Sequence, residues 1–252
     1  VAFAESGAAV VPWGGGTNQQ LGNVPERIDL VLRTARLNRV IAHEPSDMTC
    51  VGGAGIRLAD LQTVLGKAGQ FLPLDPPDAA AATLGGVLSA DASGPMRLAY
   101  GWPRDVVIGT KVALVSGQQV RAGGRVVKNV AGFDLNKLYV GALGTLGVLV
   151  EVALKVLPLP ERRASIAATF AALDGAAQAV RSILHTDLLS CAHELISPRA
   201  ANKLALATAL PSGGFVVFVR AEGIEEAVQD QMDRLRDLFH GAGTSEIVPL
   251  DR

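Results

Sequence analysis

The sequence predicts an α+β chain in two parts, and three observations carry that reading. Glycine-rich turns and short strand-like runs fill the stretch before residue 160. Helix-period segments alternating with short β runs follow it, and Pro158-Leu159-Pro160 stands between the two textures. The chain has 252 residues, a length for one to two domains, and 49 % of them are apolar, enough for a sizeable core and against the disordered class. The expected domains are 1–160 and 161–252.

In the first part, a buried run at 8–12 enters a glycine triplet, and strand-like runs follow at 29–33, 39–43 and 49–53. Leu58, Leu61, Leu65 and Ala68 recur at helical spacing until Gly69 stops them, and a second short helix covers 84–90. Residues 107–115 and 119–121, joined through Ser116-Gly117, read as a hairpin. Asp134 caps a helix with Leu135, Leu138 and Tyr139 on one face. Val148, Val150, Val152, Leu154 and Val156 then alternate with Leu149, Glu151, Ala153 and Lys155, the best strand pattern in the chain. The second part reads β-α-β-α-β-α-β, with strands near 165–170, 191–196, 215–221 and 246–248 and helices near 175–184, 198–209 and 224–240. The last helix carries Ile224, Ala227, Val228, Gln231, Leu235, Leu238 and Phe239 in one stripe. We expect these helices on one face of a small antiparallel sheet.

Composition closes several doors. A net charge of −1 gives no general attraction to nucleic acid or to an anionic membrane. No window reaches the roughly 18 apolar residues of a membrane span; the longest runs, 79–90 and 139–150, are broken by glycine. Cys50 and Cys191 match no metal or redox spacing and suit a reduced cytoplasmic setting, and no signal peptide is recognised. Val1 in place of an initiator methionine points to a trimmed or incomplete gene product.

Glycine is over-represented: 28 residues, against a usual share of about 7 %. In Pro12-Trp13-Gly14-Gly15-Gly16-Thr17-Asn18, a strand ends in consecutive main-chain N–H groups with no Cβ in the way. Such a run suits either a tight turn or a diphosphate cradle. Thr83-Leu84-Gly85-Gly86 opens a helix ahead of Ser89, Asp91 and Ser93-Gly94, so free N–H groups at a helix start make a second candidate cradle, or simply a packed helix start. A third candidate is Lys128-Asn129-Val130-Ala131-Gly132-Phe133-Asp134-Leu135 followed by Gly141-Ala142-Leu143-Gly144-Thr145-Leu146-Gly147-Val148. There, bare backbone can press on a flat ring or merely turn.

Three mimics fail. No Gly-Lys-Ser/Thr makes a Walker loop. Gly53-Ala54-Gly55 imitates a Rossmann fingerprint but has Leu58 at the third glycine position and no acidic residue at the right distance. His193-Glu194 begins like a zinc-protease motif without its second histidine.

Taken in order, Gly14-Gly15-Gly16-Thr17-Asn18, Thr83-Leu84-Gly85-Gly86, Ser93-Gly94-Pro95, Tyr100-Gly101 with Arg104-Asp105-Val106, the Lys128–Leu135 stretch and Gly144 to Val148 resemble one known set. It is that of the vanillyl-alcohol oxidase/p-cresol methylhydroxylase family of FAD-binding proteins. Arg104-Asp105-Val106-Val107-Ile108-Gly109-Thr110 and Lys128-Asn129-Val130-Ala131-Gly132-Phe133-Asp134 look most like the FAD-binding subunits of bacterial glycolate oxidases.

The resemblance implies a two-subdomain FAD domain followed by a smaller, partial, ferredoxin-like α/β cap. It implies a diphosphate held by Pro12, Gly14, Gly15, Gly16, Thr17 and Asn18 with Thr83, Leu84, Gly85 and Gly86. Ser89, Ser93 and Gly94 would line the ribityl and flavin side, and Gly144, Gly147 and Val148 would meet the cofactor through backbone. The first loop holds Thr17 and Asn18 where many relatives carry a tethering histidine, so FAD is expected to be non-covalent. Only residues 1–6 remain of the helix with which relatives begin, and the chain stops before their later segments.

The implied function is that of a FAD-binding subunit of a glycolate oxidase-like 2-hydroxyacid oxidase or dehydrogenase, with hydride passing from substrate C2 to flavin. The expected partners are a second flavin subunit and an iron–sulfur subunit. The setting is cytoplasmic, peripheral to the inner membrane through those partners. The alternative is a non-catalytic FAD-binding or electron-relay subunit. No catalytic base is legible; His193 and Glu194 are the two residues to test.

Overall fold

The computed structural model describes residues 5–124, 134–205, 211, 213–244 and 246–250. It divides into two compact units, Val1–Gly94 with Gly101–Leu159 and Pro95–Tyr100 with Pro160–Arg252. The second unit thus takes a short segment, Pro95–Tyr100, out of the middle of the first, an excursion that no sequence pattern announces.

The first unit opens on a parallel pair, β1 (Val10–Trp13) and β2 (Leu30–Arg33). Its main sheet is antiparallel, in the order β3-β4-β8-β6-β7. The strands are β3 (Val40–Glu44), β4 (Thr49–Gly53), β6 (Val107–Ala113), β7 (Gln119–Gly123) and β8 (Val148–Lys155). A further small pair joins β5 (Gln70–Phe71) to β9 (Leu157–Pro158). Turn chemistry closes the hairpin of β6 and β7 as expected: Gly117 N–H donates to the Leu114 carbonyl, and Leu114 N–H to that of Gln118.

Helix α1 (Leu58–Gly66) buries Leu58, Leu61 and Leu65, one face at helical spacing. With Leu84, Val87 and Leu88 of α2 (Leu84–Ala90), they cover Cys50, Val152, Leu154 and Val156 of the sheet. Each such leucine contributes about 1.5–3 kcal/mol of burial. Gly66 closes α1 with nothing within 4 Å of the place a Cβ would take. Gly66→Ala is therefore expected to stabilise the chain by about 0.5–1 kcal/mol. A higher urea midpoint at unchanged slope is the readout, and a lower midpoint contradicts the assignment.

Two elements depart from their sequence pattern. In β8 the pairing slips between Lys111–Glu151 and Val112–Leu149, so Val150 is an extra residue and the alternation changes sides there. The core face is consequently Leu149, then Val152, Leu154 and, beyond the strand, Val156. The helix expected after Asp134 is one turn, α3 (Asn136–Tyr139), whose N-terminal Asn136 N–H donates to Asp134 Oδ1 at 3.2 Å. Leu135 and Leu138 are exposed, and the buried residue is Asn136, whose Oδ1 accepts from Thr110 Oγ1 at 2.9 Å. A buried polar bond, not a leucine face, anchors this turn. Residues 125–133, and with them the Lys128-to-Phe133 candidate, lie outside the described residues.

The second unit is an antiparallel sheet in the order β11-β12-β10-β13, from β10 (Arg162–Phe170), β11 (Ser190–Ile196), β12 (Phe215–Gly223) and β13 (Glu246–Pro249). Counted within the unit, that is the 4-1-3-2 order of a ferredoxin-like sheet. Helices α4 (Leu173–Leu184) and α6 (Glu225–Gly241) pack on Ile166, Ala168 and Phe170 of β10 and on Val217 and Val219 of β12. Phe170 and Phe239 meet edge to face, with ring centroids 6.2 Å apart.

The expectation of helices on a single face is corrected by α5 (Pro198–Ala205). Its Ala201 packs on Ala167 and Val216, which point to the opposite face. Strand β10 is buried at every position from Ala164 to Phe170, and a strand of that kind needs cover on both sides. No described helix is long and apolar enough to cross a membrane.

Candidate functional site

Strand β1 delivers the chain into the 14–18 loop, which forms one wall of a pocket in the first unit. Pro12, Gly14, Gly15, Gly16, Thr17 and Asn18 all line it. A Cβ on Gly14 would overlap Thr83 Oγ1, and one on Gly15 would overlap the Ala81 carbonyl oxygen. These glycines let the loop lie directly against the segment that leads into α2. The main-chain N–H groups of Gly14, Gly15, Gly16, Thr17 and Asn18 have no acceptor among the described residues. Consecutive donors left open in this way form an anion-binding concavity. Asn18 Nδ2 donates to Thr17 Oγ1 at 3.3 Å, which leaves the threonine hydroxyl its own proton to donate.

The opposite wall comes from α2, through Gly85, Gly86, Ser89 and Ala90. Here the expectation of free helix-start donors fails. Leu84 N–H donates to the Ile56 carbonyl at 2.9 Å and Gly85 N–H to that of Ala54 at 2.7 Å. Only Gly86 N–H is loosely held, by Thr83 Oγ1 at 3.4 Å. The reason is tertiary: the 54–57 turn runs alongside the helix start and supplies acceptors that a local reading leaves open. Thr83 and Leu84 are buried in the core and do not line the pocket.

The third side is the turn before β8, with Leu143, Gly144 and Val148. Gly144 has φ +76°, and a Cβ on it would stand 2.6 Å from Pro12 Cγ, so this turn closes onto the end of β1. Gly141 N–H and Leu143 N–H donate to the Leu88 and Ser89 carbonyls at 2.9 and 2.8 Å, capping the end of α2. Besides Thr83 and Leu84, three more expected residues fall elsewhere. Gly147 packs on Val112, Gly94 N–H donates to Asp75 Oδ1 at 3.0 Å, and Ser93 is not in the lining.

Sequence reasoning missed Ala54 and Thr34, which line the pocket together with Leu143 of the 141–148 candidate. The first had a signal in Gly53-Ala54-Gly55, set aside as a mimic. This buried turn underlies the pocket, holding Val150 through the Ala54 N–H and Gly85 through the Ala54 carbonyl. Leu143, with φ +51°, lies within the glycine-spaced 141–148 turn.

None of the described lining residues is charged. Asp91, next after Ala90, ends α2 in the left-handed region (φ +47°). Burial raises its carboxyl above the usual range, against the opposing pull of Arg104.

The family described as FAD binding domain matches residues 1–123. Over 238 residues the chain is 31 % identical to the glycolate oxidase subunit GlcD of Bacillus subtilis, covering 92 % of this chain and 50 % of that one. It is 41 % identical over 128 residues to the glycolate oxidase subunit GlcE of Escherichia coli, covering 50 % and 37 %. Its fold superposes on p-cresol methylhydroxylase with substrate bound at a TM-score of 0.79, with 16 % identity over 98 % of this chain and 54 % of that one. Residues 1–123 match a FAD-binding domain, and the chain has the fold of p-cresol methylhydroxylase. It spans half or less of the length of these two glycolate oxidase subunits.

FAD is the cofactor of this domain, and the pocket passes a physical test for it. A diphosphate asks for several N–H donors, and the 14–18 loop offers five without internal acceptors. An uncharged, glycine-walled cleft also lets flat rings approach backbone closely.

The two residues singled out as bases lie on β11 of the second unit. His193 is half-buried, its Nε2 hydrogen-bonded to Ser190 Oγ, and burial lowers its pKa from the ordinary value. Glu194 is exposed. Cys50 and Cys191 are both buried, and burial pushes the Cys50 thiol up to about 11. Among the described residues, no three His, Cys, Asp or Glu side chains gather as a metal site.

Proposed function

We propose that this chain is the FAD-binding part of a glycolate-type 2-hydroxyacid oxidoreductase that works with partner subunits. The observation that carries the reading is the row of five open main-chain donors at residues 14–18, in a chain similar to two glycolate oxidase subunits. Bound FAD supplies the hydride acceptor for oxidation of a CH–OH carbon.

The chain's own residues bind and orient. Gly14, Gly15, Gly16, Thr17 and Asn18 take the diphosphate, with Gly86 N–H as a further donor. Thr83, Leu84, Gly94 and Gly147 act indirectly, by fixing the backbone around the cleft. Gly85 and Ser89 on one side and Gly144 and Val148 on the other narrow the cleft and keep water from the cofactor. Attachment is non-covalent: among the described residues, no histidine, cysteine or tyrosine lines the pocket. Electrons leave to a partner, and an iron–sulfur subunit fits a chain that has only two cysteines. The setting is cytoplasmic, at the inner membrane through partners.

The test is anaerobic mixing of the FAD-loaded chain with glycolate or D-lactate. Loss of the visible flavin absorbance by the chain alone is the expected result. Reduction only after a partner subunit is added would transfer the chemistry to that partner and leave this chain a cofactor-holding or relay role. No reduction under either condition would overturn the assignment.

A further inference from the structure

The face of the second unit's sheet opposite α4 and α6 carries a charged cluster whose residues are not among those lining the first unit's pocket. Arg163 pairs across the sheet with Glu222, and Ser165 with Arg220. The Glu222 side chain is only 1 % exposed. Its Oε2 accepts from the Tyr100 hydroxyl at 2.9 Å, and its Oε1 lies 3.4 Å from Arg163 Nε and 4.0 Å from an Arg220 Nη. Two guanidinium groups thus face one carboxylate. Burial first and the Glu222 bond second hold the Tyr100 phenol protonated well above its ordinary range. Glu194, on the same face beside Phe218, makes no ion pair with either arginine among the described residues.

Arg220 is the open member of the cluster. Its Nε donates to the buried Ser165 Oγ at 3.2 Å, which fixes the plane of the guanidinium. Its Nη groups make no hydrogen bond among the described residues, and the side chain is 39 % exposed. A planar fork anchored at one edge and free at the other is the geometry that takes a carboxylate through two parallel N–H···O bonds. We infer that Arg220 binds the carboxylate of a small 2-hydroxy acid, with Ser165 and Glu222 as its positioning residues. The inference rests on the function proposed above for the choice of ligand, and on the geometry for the site.

The probe is oxalate, which carries carboxylates and no oxidisable C–H, titrated calorimetrically into the FAD-loaded chain. Arg220→Met is expected to weaken oxalate binding by about tenfold to a hundredfold, the range for a lost charged hydrogen bond. Ser165→Ala keeps the charge and frees only Nε; it should weaken oxalate several-fold, and it covers the case in which Arg220→Met does not fold. Equal oxalate affinity in wild type and both variants, or no oxalate binding at all, overturns the inference even where 2-hydroxy acids are oxidised. Sulfate bound as tightly as oxalate overturns the carboxylate assignment. Arg220-dependent oxalate binding in a chain that oxidises none of these acids keeps the site and removes the function proposed above.

Discussion

Gly15→Ala will lose most of its FAD and unfold at a lower temperature than the wild type. The added methyl would overlap the Ala81 carbonyl oxygen, which is main chain and cannot swing aside as a side-chain tip could. Either the 14–18 loop or the segment before α2 must shift, at about 1–3 kcal/mol for overpacking of this kind. A shifted loop no longer holds its five open N–H groups in place along the pocket wall, so affinity falls with stability. Bound FAD stabilises the folded chain by mass action, so the gap in unfolding temperature should widen as FAD is added. The checks are FAD per chain after gel filtration and thermal unfolding with and without added FAD. Wild-type values for both would remove the close approach at Gly15 and the cradle with it. Gly15→Asp is less informative, because it mixes charge repulsion with the same overlap.

Tyr100→Phe is expected to destabilise the second unit by about 1.5–3 kcal/mol, the usual cost of removing a hydrogen bond to a charged group. The phenol is the hydroxyl donor to a carboxylate that is almost wholly buried, and phenylalanine leaves that oxygen unmet. The pH dependence has a definite sign. Burial, then the Glu222 bond, raises the folded-state pKa above the ordinary tyrosine value of 10.0. The stability this provides is complete below that value and is lost as pH climbs from it toward the folded-state value. Denaturant melts from neutral to strongly alkaline pH should show the decline in wild type and a much flatter curve in Tyr100→Phe. Identical curves would mean that the phenol does not hold its proton against Glu222.

Local pattern reached far into this fold. Strand β4 (Thr49–Gly53) and helix α2 (Leu84–Ala90) begin and end where apolar runs, Thr83 and the glycines say they should, because each is decided by neighbours a few residues away. The 14–18 loop was legible as a glycine run for the same reason.

Elsewhere the deciding partner was distant in sequence. The extra residue at Val150 answers to pairing with Lys111 and Val112, and the buried Asn136 answers to Thr110. The side chosen by α5 answers to the need of β10 for cover on both faces. Ala54, read as part of a failed nucleotide motif, turned out to line the pocket because it pairs with Gly85.

What the sequence determined by itself was the ordered set of bare-backbone loops; the kind of cofactor followed from the resemblance of that ordered set to a FAD-binding family, because a glycine run alone suits a tight turn as well as a cradle. Tertiary structure decided which donors remain available. At residues 14–18 the glycines are pressed against Ala81 and Thr83 by their Cα side and their N–H groups stay open. At 84 and 85 the 54–57 turn supplies carbonyls and takes them. The same holds for charge. A count of 23 basic and 24 acidic residues says nothing of Arg220. Its open fork exists only because β10 and β12 bring Ser165 and Glu222 beside it, satisfying one edge of the guanidinium and leaving the other to solvent.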